Sequence, residues 1–141
     1  MAIEGRAILV DAGPLIALAS PRDRHHDSCR DQFALIKPPL FTCWPVLAEV
    51  AWLLRSRPAA VQSVLSSCNG TFLALLHLAE LDAPKIATLM QKYADQRMQL
   101  ADAAIVHLAD REKVSTIFTL DRRDFSVYRR PDGSSFDVIP T

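Results

Sequence analysis

Ala7-Ile8-Leu9-Val10-Asp11 is the stretch from which the fold of this chain can be argued. Four apolar residues run into an acid, and the turn-forming segment Ala12-Gly13-Pro14 follows at once. A short apolar run that ends at a turn signal is typical of a strand buried on both faces. Asp11 is therefore predicted at the carboxyl end of a strand, the edge at which open α/β sheets bind their ligands.

The composition of the chain indicates one folded domain. Its 141 residues can bury a sizeable core, and a single domain is expected over residues 1–141. Half of the residues are hydrophobic and 23% are charged, which argues against a disordered chain. The formal net charge is zero, so nucleic acid would have to be held by a local basic rim rather than by overall charge.

The cysteines and the terminal segments bear on location. Cys29, Cys43 and Cys68 form no CxxC pair, which disfavours a zinc cluster or a disulfide framework and predicts reduced thiols in a cytoplasmic protein. Glu4 and Arg6 precede the first short apolar run, and no run is long enough to cross a bilayer. Neither a secretory leader nor a membrane partner is expected.

Prolines, glycines and an Asn-Gly pair divide the chain into short apolar segments. The predicted strands are 7–10, 40–42, 71–78, 115–120 and 136–139. The predicted helices are 14–19, 22–36, 45–55, 59–68, 83–93 (capped by Asp82) and 100–112. Strands that alternate with helices predict crossover connections, and therefore a three-layer α/β domain with a mostly parallel central sheet of about five strands.

Glu49 is the only charged residue between Lys37 and Arg55. On a helix it shares a face with Val46 and Leu53, which predicts that its carboxylate points towards the body of the protein. A buried carboxylate costs several kcal/mol unless it is protonated, paired or bound to a cation. A structural ion pair with a distant arginine and a functional site both remain open for this residue.

Asp102 shows the same anomaly in the predicted helix 100–112. It aligns with Val106 and Ala109 on an apolar stripe, whereas His107 and Asp110 are predicted on a separate polar face. Its place in the first turn offers a second interpretation, a favourable interaction with the helix dipole. The alignment with the apolar stripe favours an inward orientation.

Asp121 follows the predicted strand 115–120 as Asp11 follows the first strand. If these strands are parallel neighbours, both carboxylates lie at one edge of the sheet. Asp124 comes three residues later, and acids are also common as turn caps. Which of Asp121 and Asp124 completes a set of four acids stays open.

Four acids from two strand ends and two helix faces can converge on one cleft. Carboxylates gathered in a small site repel one another and raise one another's pKa, and a divalent cation removes that penalty. Oxygen ligands without a Cys or His pattern suit Mg²⁺ or Mn²⁺. Because such ions polarise phosphates and activate water, the pattern predicts phosphodiester hydrolysis.

Four segments in this order resemble the PIN-domain ribonucleases, most of all the VapC toxins of type II toxin–antitoxin systems. They are Ile8–Asp11, Pro45–Glu49, Leu100–Ala103 and Thr119–Phe125. The resemblance implies a parallel sheet flanked by helices and an endoribonuclease that depends on Mg²⁺ or Mn²⁺. It also implies a homodimer that a small antitoxin protein inhibits.

The resemblance assigns roles to particular residues of this chain. Asp11, Glu49, Asp102 and Asp121 would bind the metal and carry catalysis, and Thr119 would orient an acid or a water. The chain departs from the family at Ala12, where a small hydroxyl residue often follows the first acid.

Arg22 and Arg24 stand at the start of the predicted helix 22–36, and Arg122 and Arg123 follow Asp121. They are candidates for holding RNA phosphates, and solvated surface charge is the alternative. Trp44 and Trp52 are expected in the core or at a dimer surface, and the apolar second to fourth helices offer a groove for an amphipathic antitoxin segment. Two other functions stay open: a PIN-type nuclease in RNA maturation or DNA processing, and a non-catalytic module that binds RNA or a partner.

Overall fold

The computed structural model describes residues 6–140, in which strands and helices alternate. The strands are β1 Ile8–Val10, β2 Leu40–Thr42, β3 Leu73–Leu75, β4 Thr116–Phe118 and β5 Asp137–Ile139. The helices are α1 Ala12–Ala19, α2 His26–Ala34, α3 Trp44–Leu53, α4 Pro58–Ser66, α5 Ala83–Lys92, α6 Leu100–Glu112 and α7 Arg122–Phe125. Two 3₁₀ turns, Glu80–Asp82 and Ala94–Gln96, precede α5 and α6.

The sheet has five strands in the order β3-β2-β1-β4-β5, and every neighbouring pair is parallel. β1 is central: Leu9 is in register with Phe41 of β2 on one side and with Ile117 of β4 on the other. The chain moves outwards from β1 through β2 to β3 and then crosses to β4. The crevice between the carboxyl ends of β1 and β4 is therefore the switch point at which such sheets bind ligands.

Helices cover the sheet, as the predicted three-layer α/β architecture requires. The three residues of β1 are buried, and Phe33 of α2 packs on Phe118 of β4 with ring centroids 4.8 Å apart. α1 contacts α2, α3 and α4, whereas α6 contacts α5 and α3. Within residues 6–140 no helix combines the length and the apolar character needed to cross a lipid bilayer.

Helix α6 coincides with the predicted helix 100–112, and the other boundaries shift where polar side chains or turns compete. The predicted helix 22–36 forms only over His26–Ala34, because turns occupy the preceding residues, with the His26 N–H donating to the Asp23 carbonyl oxygen at 2.9 Å. The predicted strand 71–78 forms only over Leu73–Leu75. There the Asn69 side chain accepts the N–H groups of Thr71 and Phe72 and holds them in a turn.

The starts of two helices also differ from prediction. Helix α1 begins at Ala12 rather than at Pro14, because the Asp11 side chain caps it. The short helix α7 is not among the predicted helices, and it forms because the Asp121 side chain accepts the Asp124 N–H. In both cases a carboxylate at the end of a strand starts the next helix.

The prediction of a polar face at His107 is wrong. His107 is 5% exposed, and its Nε2 atom lies 2.7 Å from Asp82 Oδ1. Helix α6 is buried on nearly all sides from Ala101 to Ala109, so it has no polar face until its last turn.

Asp82 also departs from prediction, since its side chain does not cap α5. It accepts the Ala79 N–H and lies against His107 and Arg111. The Ala79 N–H and the His107 ring hold the pKa of Asp82 well below its usual range. The side chain therefore ties the 3₁₀ turn before α5 to the middle and end of α6.

Candidate active site

A cleft of about 420 Å³ opens at the carboxyl edge of the sheet. Five acidic side chains line it: Asp11, Glu49, Asp102, Asp121 and Asp124. They come from the ends of β1 and β4, from helices α3 and α6, and from the start of α7. The fold thus brings to one cleft the four acids named from the sequence, together with Asp124.

Asp11 is the most buried of these acids, at 7% exposed. Its Oδ1 atom accepts the Ala12 N–H at 2.8 Å, and its Oδ2 atom accepts the Thr119 hydroxyl at 2.8 Å. Burial raises its pKa from 3.8 to about 6 although both hydrogen bonds favour the charged form, and Glu49 and Asp121 add to the rise. The two hydrogen bonds fix the orientation of this carboxylate.

Asp102 lies half-buried in the first turn of α6, where its Oδ2 atom accepts the Gln99 N–H at 3.2 Å. Burial raises its pKa from 3.8 to about 6, the Gln99 N–H opposes the rise, and neighbouring acids, Asp11 first, add to it. Both interpretations of this residue therefore hold, because one oxygen caps the helix while the side chain lines the cleft.

The orientation predicted for Glu49 is wrong in part. Val46 packs into the core, but Glu49 is exposed and Leu53 is 53% exposed. Apolar side chains cover the outer side of α3 as well as the side that packs on the body. Apolar residues at helical spacing from Glu49 therefore do not identify the buried face of this helix. Glu49 stands at the edge of the cleft, where desolvation and then Asp102 and Asp121 raise its pKa.

Asp121 and Asp124 both line the cleft. Asp121 Oδ1 accepts the Asp124 N–H at 3.2 Å, and the Asp121 N–H donates to the Thr119 hydroxyl oxygen at 3.0 Å. Desolvation and then the adjoining Asp121 carboxylate raise the pKa of Asp124. Thr119 is thus hydrogen-bonded to two of the cleft acids, Asp11 through its hydroxyl proton and Asp121 through its oxygen.

No basic side chain neutralises these acids within residues 6–140. The salt bridges there use Asp27, Asp31, Asp82 and Glu112, and none includes an acid of the cleft. The structural ion pair considered for Glu49 is therefore not found in the described part of the chain. The carboxylates repel one another without a counter-charge in contact.

A family model of the PIN domain matches residues 8–131. The chain belongs to the PIN-domain family. This PIN domain is 33% identical over 135 residues to Ribonuclease VapC26 of Mycobacterium tuberculosis (strain ATCC 25618 / H37Rv), a match that covers 94% of this chain and 100% of VapC26. It is a VapC-like PIN domain.

The fold of this PIN domain is also similar to a crystal structure of Mycobacterium tuberculosis VapC20, which is described as a sarcin–ricin loop cleaving toxin. The TM-score is 0.73 with 18% identity, over 79% of this chain and 87% of VapC20. At this identity the likeness concerns the fold, and it agrees with the five-stranded parallel sheet flanked by helices.

None of the four arginines proposed from the sequence to hold RNA lines the cleft of this PIN domain. They are Arg22, Arg24, Arg122 and Arg123. Arg122 donates instead to the carbonyl oxygens of Val138 and Pro140. Among residues 6–140, the one basic side chain in the lining is that of Arg97. It was not selected from the sequence, where its only signal is its place five residues before Asp102.

Tyr128 is a second residue that the sequence did not single out. Its side chain is fully buried, and its hydroxyl has no hydrogen-bond partner in the described part of the chain. Burial and then the charges of Asp102 and Asp124 raise its pKa. A neutral phenol therefore lies beside the acids of this PIN domain.

The donor set of the cleft fits a hard divalent cation. All candidate ligands are carboxylate oxygens, and the raised pKa values of Asp11 and Asp102 reflect desolvation and repulsion that such an ion would relieve. Within residues 6–140, no three Asp, Glu, His or Cys side chains lie close enough together to hold one ion. The cleft therefore matches a divalent cation in its charge and in the type of its ligand atoms.

Proposed function

We propose that this PIN domain is a Mg²⁺- or Mn²⁺-dependent endoribonuclease that hydrolyses RNA phosphodiester bonds, and that it is the toxin of a toxin–antitoxin pair. The observation that carries the proposal is the set of five cleft carboxylates without a basic partner in contact. The similarity to VapC26, which is named a ribonuclease, supports it.

In this proposal Asp11, Glu49, Asp102 and Asp121 hold the metal ion. When bound, the ion would polarise a phosphate group of the substrate and lower the pKa of a water molecule. The chain's own contribution is to hold the carboxylates in place: backbone N–H groups anchor Asp11, Asp102 and Asp121. Thr119 anchors Asp11 a second time. These hydrogen bonds restrict the orientations that the carboxylates can adopt.

The partners proposed are an RNA substrate, a small antitoxin protein and a second copy of this chain. Exposed apolar side chains on α3, among them Trp44 and Trp52, support a protein-binding surface there. The cytoplasm is the proposed location, because Cys29 and Cys43 are buried free thiols.

The test replaces Asp102 by Asn, which retains the oxygen that caps α6 and removes the charge. We expect Asp102→Asn, and separately Asp11→Asn, to lower the rate of RNA cleavage with Mn²⁺ by roughly 100-fold or more, since each loses a ligand charge. Gel assays on structured RNA, with DNA of the same sequence beside it, measure the rate and separate the RNA and DNA hypotheses.

The control is Asp110→Asn, the same substitution at an exposed residue of the same helix. It is expected to cleave like the parent chain. Cleavage by Asp102→Asn at the rate of Asp110→Asn would refute the assignment of the site.

A further inference from the structure

Arg97 is the one basic residue among the side chains of residues 6–140 that line the acidic cleft. A guanidinium beside several carboxylates would ordinarily form a short ion pair with one of them. Arg97 forms no salt bridge with any residue in 6–140, and its side chain is exposed. Arg97 therefore lines the cleft without an acidic partner in contact.

The backbone at Arg97 has an unusual conformation that its neighbours fix. Its φ of 56° and ψ of 43° lie in the left-handed region, which disfavours a residue with a long side chain. The Arg97 N–H donates to the Ala94 carbonyl oxygen at 2.9 Å, and the Gln99 side-chain amide donates to the Arg97 carbonyl oxygen at 3.2 Å. Met98, the next residue, is 5% exposed and anchors the turn in the core.

A left-handed position of this kind suits glycine or asparagine better than arginine. Gly70 and Gly133 occupy the other left-handed turns, whereas Arg97 and Lys113 are the non-glycine residues with positive φ among residues 6–140. Lys113 ends α6 far along the helix from the cleft, and Arg97 stands just before α6 at the cleft. A disfavoured backbone conformation at a candidate site points to a functional side chain.

We propose that Arg97 binds a backbone phosphate of the RNA strand that enters the cleft. The proposal rests on the ribonuclease function proposed above. Its reason is electrostatic: five carboxylates repel a polyanion, and a guanidinium in the same lining offers a phosphate two parallel N–H donors. Arg97 is thus a substrate-binding residue in the same cleft as the proposed metal ligands.

The experiment compares Arg97→Asn with Lys113→Asn. Asparagine tolerates the left-handed conformation, so each variant loses one positive charge without new backbone strain. RNA affinity is measured by fluorescence anisotropy with Ca²⁺ in place of Mn²⁺ over a series of salt concentrations. KM and kcat are measured separately with Mn²⁺, and thermal unfolding checks the fold of each variant.

We expect Arg97→Asn to weaken RNA binding and raise KM by roughly tenfold while its melting temperature is maintained. The slope of log affinity against log salt should become shallower by about 0.7, the value for one phosphate contact on a single strand. Lys113→Asn should leave KM unchanged, and Arg97→Lys should recover part of the affinity.

Neutral methylphosphonate linkages then identify the phosphate. Introduced one at a time into the RNA, they should weaken binding of the parent chain at a linkage where Arg97→Asn shows no further loss. Such non-additivity indicates direct contact between the guanidinium and that phosphate.

Three results would overturn the inference. Arg97→Asn could keep the parent's KM and salt slope, it could match Lys113→Asn in every measurement, or it could bind Mn²⁺ more tightly with RNA affinity unchanged. The last would make Arg97 a counter-ion of the acids. In each of these cases RNA cleavage by the parent chain would leave the ribonuclease proposal standing, whereas a parent chain that neither cleaves nor binds RNA would remove both.

Discussion

At the scale of residues, three acids of the cleft also stabilise the N-terminus of a helix. Asp11, Asp102 and Asp121 each accept a backbone N–H at a helix N-terminus. Such hydrogen bonds lower a carboxylate pKa, yet burial outweighs them for Asp11 and Asp102, whose pKa values rise to about 6. Helix capping and a place in the cleft are therefore compatible functions of one side chain.

Thr119→Val tests the orientation of Asp11. The valine removes the hydroxyl that donates to Asp11 Oδ2, so we expect the pKa of Asp11 to rise further above its ordinary value. Because protons then compete with the metal, Mn²⁺ binding should weaken by roughly tenfold at pH 6 and much less at pH 8. Titration calorimetry at both pH values measures this.

The control is Thr88→Val, which removes an exposed hydroxyl that donates to the Pro84 carbonyl oxygen on α5. It should leave Mn²⁺ binding unchanged at both pH values. If Thr119→Val and Thr88→Val bind Mn²⁺ with the same pH dependence, the Thr119 hydroxyl does not control Asp11.

At the scale of elements, α3 presents two apolar surfaces. Val46, Leu47 and Val50 are buried against the body, whereas Trp44 and Trp52 are 62% and 63% exposed. A helix that is apolar on its outer side as well is typical of one with a protein partner. The guanidinium of Arg55 stacks on the Trp52 ring at 3.8 Å and shields part of it from water.

Trp52→Glu tests whether the outer surface of α3 joins two copies. We expect the purified parent chain to sediment as a dimer and Trp52→Glu to sediment as a monomer, because the introduced charge would be buried without a partner. Analytical ultracentrifugation measures both. Leu81→Glu is the control, since Leu81 is 87% exposed on a different part of the surface.

A Trp52→Glu variant that remains dimeric would exclude this surface of α3 as the contact between copies. A parent chain that sediments as a monomer would contradict the proposed homodimer. In that case the exposed tryptophans would remain available for the antitoxin.

At the scale of the whole molecule, the acids of the cleft lower the stability of the metal-free fold near neutral pH. Asp11 and Asp102 have folded-state pKa values of about 6 against a reference of 3.8. Between these values the folded chain binds more protons than the unfolded chain, so its stability falls as the pH rises. Asp82 has a lowered pKa and therefore changes the stability in the opposite direction, but it does so only at pH below about 4.

We therefore expect the metal-free protein in EDTA to be more stable at pH 5 than at pH 7.5. Asp11 alone accounts for about 1.4 kcal/mol of this difference, because pH 5 lies about one unit below its raised pKa and one pKa unit corresponds to about 1.4 kcal/mol. Asp102 is partly exposed and adds less. Urea unfolding at the two pH values measures the difference, and Mn²⁺ at 100 times its dissociation constant should restore about 2.7 kcal/mol at pH 7.5.

Asp11→Asn is the matched variant, since it should remove most of the difference in the free energy of unfolding between pH 5 and pH 7.5. Stability that rises from pH 5 to pH 7.5 in EDTA would contradict the raised pKa of Asp11. Stability that does not respond to Mn²⁺ would contradict the proposed metal site.

The sequence alone determined the parallel α/β fold and singled out four acids that the structure brings to one cleft. Strand β1 is a continuous apolar run that ends in Asp11, and helix α6 has the predicted bounds, because periodicity and turn residues act locally. An acid within an apolar segment can be recognised from the sequence alone, because burial of its charge costs free energy. The segments that carry the PIN resemblance are local in the same sense.

Only the tertiary structure decided which surfaces are buried and which side chains meet. His107 is buried because α5 and the turn at Asp82 cover it. Glu49 is exposed because α3 packs on the body through Val46 and Val50 instead. Arg97 lies at the cleft because Met98 anchors a left-handed turn before α6. These outcomes depend on contacts between segments distant in sequence, which local periodicity does not contain.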